Sequence, residues 1–130
     1  MKIEDKNGEI LAFFIDGEDI SSGKNFITND ESEFQVASFL LDEQEIIEKH
    51  IHPNQEREIL NTSEVLILLE GEIEVTIYDK DLNFVTSRTI VSGDTVALMS
   101  GGHGLEIKEK SKFIEVKQGP YDEKTDKVRF

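Results

Sequence analysis

Apolar residues occur in short runs between turn-forming residues, and nowhere in a sustained 3.6-residue stripe. The clearest run is Ile73, Val75 and Ile77, alternating with Glu72, Glu74 and Thr76. A period of two marks a strand with one buried face. Glu64 to Leu69 precedes it, and Glu70-Gly71-Glu72 between the two reads as a hairpin turn. Further strands are predicted over Ile10 to Ile15, Phe34 to Leu41, Ile46 to His52, Phe84 to Ile90, Thr95 to Met99, Leu105 to Ile107 and Phe113 to Val116. Asp16-Gly17, Asp42-Glu43, Pro53-Asn54, Asp79-Lys80-Asp81, Ser92-Gly93-Asp94 and Ser100-Gly101-Gly102 punctuate them. Gln55 to Leu60 is long enough for one helical turn. Short, regularly spaced strands predict an all-β sandwich or barrel. Residues 119–130 read as a polar loop or covering arm, and Val128 and Phe130 suggest that its end docks on the domain.

Composition narrows the function. A chain of 130 residues has room for one hydrophobic core, so a single domain spanning 1–130 is expected. The absence of cysteine excludes disulfides, thiolate metal sites and cysteine nucleophiles. With 28 acidic and 14 basic residues the net charge is -14, a field that repels phosphate backbones and anionic membranes. Nucleic-acid and membrane partners are therefore poor expectations. No stretch approaches the roughly 20 apolar residues of a membrane helix. Met1 to Lys6 lacks the apolar run of a secretory signal. A cytoplasmic protein is expected.

His50-Ile51-His52 carries the most chemistry. On a strand, residues i and i+2 share a face, so two imidazoles so placed can grip one metal ion from one side. Glu64 opens the next strand, with six residues between it and Gly71, and His103 lies nine residues after Asp94. In these residues the chain resembles the cupin superfamily, whose first motif joins His-x-His to a glutamate and a glycine and whose second carries a further histidine. The resemblance covers roughly Gln44 to Ile107. It implies a double-stranded β-helix, or jelly-roll barrel, with a barrel core over about 34–118 and an arm over 119–130. It also implies that His50, His52, Glu64 and His103 converge on one divalent transition metal: iron, manganese, nickel or zinc. All three histidines of the chain fall in such positions. The chain departs from the pattern at Gln44, Met99 and Ile107, in the eleven residues between His52 and Glu64, and in a one-residue shortening before His103. The insertion makes Glu56 a rival to Glu64; Glu64 is preferred because a strand holds a ligand more rigidly than a loop.

Other residues could line a substrate pocket. Arg57, near the expected mouth, suits a carboxylate or phosphate, or else pairs with Glu56 or Glu58 on the surface. Tyr78, Gln118 and Tyr121 are further candidates, the last two within Lys117-Gln118-Gly119-Pro120-Tyr121. Glu106 has the parity of an exposed residue opposite to His103. Leu66 and Leu68 share the inward face with Glu64. Val65, Ile67 and Leu69 then form an apolar outer face, covered by the N-terminal strands or by a second copy in a homodimer.

Two functions compete. One is a metalloenzyme of the isomerase, epimerase, dioxygenase or lyase kind, acting on a sugar or organic acid, with the metal as Lewis acid or oxygen activator. The other is a non-catalytic small-molecule-binding or sensor cupin. Fold alone does not choose between them.

Overall fold

A computed structural model describes residues 1–130. Ten strands follow in order: β1 (Lys2–Glu4), β2 (Ile10–Ile15), β3 (Gly23–Phe26), β4 (Ala37–Leu40), β5 (Glu64–Glu70), β6 (Glu72–Tyr78), β7 (Phe84–Val91), β8 (Thr95–Leu98), β9 (Gly102–Ile107) and β10 (Lys112–Lys117). One 3-10 turn, Gly17–Asp19, is the only helical element. The protein is all-β, and every strand pair is antiparallel. The strands form three sheets, ordered β1-β2-β8-β5-β10, β3-β4 and β7-β6-β9, and none closes on itself.

The alternation in β6 does what its period dictates. Ile73, Val75 and Ile77 are fully buried, and the residues between them are half-buried. Leu66 and Leu68 of β5 are likewise buried, as expected from their parity with Glu64. With Leu11, Phe14, Ile90, Val96 and Leu98 they form one core, drawn from the five-stranded and three-stranded sheets together. The two sheets therefore face each other across that core. The β5–β6 hairpin turns at Gly71, whose φ of +100° suits glycine alone. A side chain there would also meet the Lys110 carbonyl and Ser111. Between β7 and β8, Asp94 accepts hydrogen bonds from Val91 N (2.9 Å) and Gly17 N (3.1 Å), tying that turn to the 3-10 turn.

Three local expectations are corrected. Ile46 to His52 is not a strand: residues 41–63 carry no regular element beyond a turn at 43–44, and Ile46 and Ile51 are exposed. Gln55 to Leu60 makes no helical turn. The run over Phe34 to Leu41 shortens to Ala37–Leu40 and pairs only with β3. For the two strand runs the reason is the extent of a partner edge: none for Ile46 to His52, and four residues of β3 for the run at Phe34 to Leu41. A strand is held by ladder bonds to a neighbour, and apolar spacing alone does not supply one.

Sheet edges bear on the site. β9 borders the three-stranded sheet and has β6 as its only neighbour. Opposed residues of an antiparallel pair project from the same face. His103, Leu105 and Ile107, opposite Ile77, Val75 and Ile73, thus stand on the core face. Yet Leu105 and Ile107 are 38% and 50% exposed, so this corner of the core is open.

Candidate functional site

Register alone brings the central residues together. Glu64 is opposite Leu98 of β8 and Lys117 of β10, and Leu98 is buried in the core. Glu64 and Lys117 therefore share the inner face of the large sheet, while His103 stands on the inner face of the small one. The two sheets meet here: His103 Nε2 lies 3.0 Å from Glu64 Oε2.

Glu64 is held as an anion. The hydrogen bond from His103 lowers its carboxyl below the ordinary glutamate value; burial opposes this, and the positive charge of Lys117 reinforces it. A carboxylate only accepts, so Nε2 carries a proton, and in the neutral form of the ring Nδ1 is an acceptor. Nδ1 has no partner within the protein. The arrangement is an imidazole oriented by a carboxylate, with one nitrogen available for a proton or a ligand.

Lys117 gathers the negative charge around this pair. Its Nζ lies 3.1 Å from Asp126 Oδ2, 3.3 Å from Glu115 Oε1 and 3.4 Å from Glu64 Oε1. The side chains of Lys117, Glu64 and Asp126 are only 17%, 14% and 12% exposed, so these pairs are screened much less than surface ones. The Asp126 hydrogen bond, then those of Glu115 and the charge of Glu64, raise Lys117 well above an ordinary lysine. In the sequence Lys117 figures only as the first residue of the run to Tyr121, and Asp126 does not stand out. Their only signal is the cross-strand position of Lys117 opposite Glu64, which appears once register is known.

Asp126 anchors the C-terminal arm over the site. Farther along, the Phe130 ring stands edge-on to Tyr78 at 5.0 Å and closes on Gly102, where a Cβ would sit 2.8 Å from Phe130 Cζ. The expected docking of the tail thus falls on Phe130, whereas Val128 is 90% exposed. Between arm and sheets lies a cleft of about 630 Å³, lined among others by Glu64, Tyr78, His103, Lys127 and Arg129.

The other expected residues lie elsewhere. His50 and His52 are exposed on the irregular segment, their rings 5.2 Å apart, and His50 Nδ1 bonds the Glu48 carbonyl at 2.8 Å. No group of three or more His, Asp or Glu side chains is placed to hold a metal ion. Of the four residues, Glu64 and His103 meet, with an ammonium beside Glu64, and His50 and His52 do not join them. Glu56 is exposed. Arg57 lines a separate hollow and bonds Gln55 Oε1 at 3.3 Å. Gln118 accepts from Ser63 N at 2.8 Å and leaves its buried Nε2 without a partner. Tyr121 is exposed, with Lys117 Nζ 5.5 Å from its ring centre. Glu106 is exposed and pairs with Lys108 at 2.9 Å, as its parity predicts.

No helix is long and apolar enough to cross a membrane. No protein-family model, curated protein or solved structure matches the chain.

Proposed function

We propose that the protein is a cupin-type small-molecule enzyme in which His103, oriented by Glu64, transfers a proton in the cleft beneath the C-terminal arm. The observation that carries this reading is the 3.0 Å bond between a largely buried carboxylate and an imidazole whose other nitrogen is free. In the reaction, Nδ1 takes a proton from the carbon next to a substrate carbonyl. The C–H electron pair moves to the carbonyl oxygen and gives an enolate. The imidazolium, stabilised by Glu64, returns the proton to the opposite face of that carbon once the enolate has turned, or, after the hydroxyl proton on that carbon has passed to the enolate oxygen, to the former carbonyl carbon. That is isomerase or epimerase chemistry on a small sugar or organic acid. A jelly-roll barrel is the fold we propose, its two facing sheets left open along β9.

Deuterium exchange tests the reading. In D2O, a panel of aldoses, ketoses and hydroxy acids is followed by NMR for label next to the carbonyl. Wild type is expected to exchange at least one class, and His103→Asn and Glu64→Gln to lose roughly 10²-fold or more of that rate. Saturable binding with no exchange anywhere in the panel would leave a binding module and remove the enzyme.

One observation favours a second, metal-dependent reading. β9 has a free edge with Leu105 and Ile107 half-uncovered beside it, and the strand-patterned Ile46 to His52 pairs with nothing. Laid along β9, that segment would cover both residues and carry His50 and His52 toward His103. Iron, manganese, nickel or zinc would then act as a Lewis acid or oxygen activator. Elemental analysis of protein purified without chelator decides: about one equivalent of metal in wild type, lost in a His50→Ala, His52→Ala double variant, supports it. No metal, and no uptake when any of the four is added, removes it.

A further inference from the structure

We infer that the substrate is a monocarboxylate, a sugar acid or similar small organic acid, whose carboxylate is held by Arg129 of the C-terminal arm; this rests on the reading of the cleft as the site. The arm is pinned at two points, by the Asp126–Lys117 ion pair at 3.1 Å and by Phe130 against Tyr78 and Gly102. Residues 127–129 are strung between those anchors along the cleft that holds His103.

Charges in the cleft are unequally engaged. Its three carboxylates, Glu64, Glu115 and Asp126, all lie within 3.4 Å of the single Lys117 ammonium. Lys127 reaches Asp126 at 4.0 Å. Arg129 makes neither an ion pair nor a hydrogen bond and is the one cleft cation with nothing to hold. A guanidinium presents a planar fork that matches a carboxylate with two parallel bonds. The chain's net charge of -14 repels anions at long range, but at physiological salt that field is screened beyond about 8 Å, so a local guanidinium decides.

The same inventory favours a singly charged ligand. The three side-chain carboxylates Glu64, Glu115 and Asp126 already match the positive charge of Lys117, Lys127 and Arg129, so the site has no surplus positive charge for a doubly charged ligand. A monocarboxylate adds one negative charge. A phosphate, with a charge of about -1.5 to -2, adds more.

The probes are D-galacturonate, its neutral counterpart D-galactose, and inorganic phosphate, each titrated while the His103 imidazole resonances are followed by NMR. Galacturonate is expected to shift them saturably, galactose to leave them in place, and phosphate to bind more weakly than galacturonate. Arg129→Gln is expected to weaken galacturonate about tenfold, the loss of a charged hydrogen bond, and Arg129→Lys to restore part of it. A persisting Phe130–Tyr78 cross-peak shows that the arm stays docked in both variants. The inference is overturned if galactose matches galacturonate, if phosphate binds more tightly, if Arg129→Gln binds like wild type, or if no probe moves His103. In each of those cases the deuterium exchange experiment still decides the proton-transfer reading by itself.

Discussion

Lys117 and Glu64 stand directly opposite each other on β10 and β5, and the ammonium that lies 3.4 Å from the Glu64 carboxylate also holds Asp126 of the arm. One side chain thus links the core sheet, the proton-transfer pair and the strap above them. Replacing Lys117 by Met keeps much of its stem but strands three carboxylates around an apolar tip, and breaking such a pair from one side leaves uncompensated charge. Lys117→Met is expected to lower the melting temperature and free the arm. Limited proteolysis would then cut within 119–130 many-fold faster than in wild type. Unchanged cleavage would mean that Phe130 alone holds the arm.

Gly102 and Gly71 separate two kinds of tight contact. At Gly102 the atoms in the way belong to the end of the Phe130 side chain, which can swing aside. At Gly71 they include the Lys110 carbonyl, 2.5 Å from where a Cβ would lie, and φ is +100°. Gly102→Ala is therefore expected to cost no more than about 1 kcal/mol while abolishing the Phe130–Tyr78 contact. Gly71→Ala is expected to cost about 2–3 kcal/mol, because backbone must move and a left-handed residue gains a Cβ. Urea melts of the two variants, with Tyr78 NMR for the first, give both numbers.

What the sequence made legible follows from what each residue's position depends on. Ile73, Val75 and Ile77 were readable because burial of one face imposes a period of two on the chain itself. The Glu64–His103 contact was half readable: the spacing matched a family pattern, and the two residues do meet. Ile46 to His52 was misread as a strand because apolar spacing is silent about whether an edge is available. Its chain also has a local alternative, since the His50 ring bonds the Glu48 carbonyl two residues back. The Lys117 network was invisible. Its partners lie 53 and 9 residues away, and a lysine beside glutamates on a strand looks the same when solvated as when nearly buried.

Asp79 makes stability depend on acid. It is buried in the β6–β7 turn and accepts from Asn83 N and Asp81 N, both at 2.9 Å, and from Asn83 Nδ2. The hydrogen bond from the Asn83 backbone is the chief cause holding its carboxyl below the ordinary aspartate value of 3.8. A carboxyl lowered in the folded state adds stability that is fully present above the unfolded value and lost as pH falls through the folded one. Wild type should thus lose this increment only below about pH 4. Asp79→Ala should be less stable than wild type at pH 7, with the gap narrowing at pH 3. A gap that stays constant in urea melts at the two pH values would mean that the carboxylate's charge plays no part.

The outer face of β5 and β10 tests the homodimer expected from the sequence. Ile114 is opposite Ile67 and Val116 opposite Val65, so the four share one surface. Ile114, Val116 and Leu69 are 48%, 47% and 45% exposed, so the N-terminal strands leave them uncovered; β1 and β2 lie in the same sheet, beyond β8. An apolar strip this long, at the edge of a chain whose surface is otherwise densely acidic, is what a second copy would cover. Two copies meeting through it bury the strip without juxtaposing many carboxylates, because the strip itself carries no charge. Light scattering on wild type is expected to give twice the 14.8 kDa chain mass. Ile114→Glu places two carboxylates in that contact and should shift the mass to the monomer's while the far-ultraviolet spectrum of a β protein is kept. A wild-type mass equal to one chain would assign the strip to no partner of its own kind.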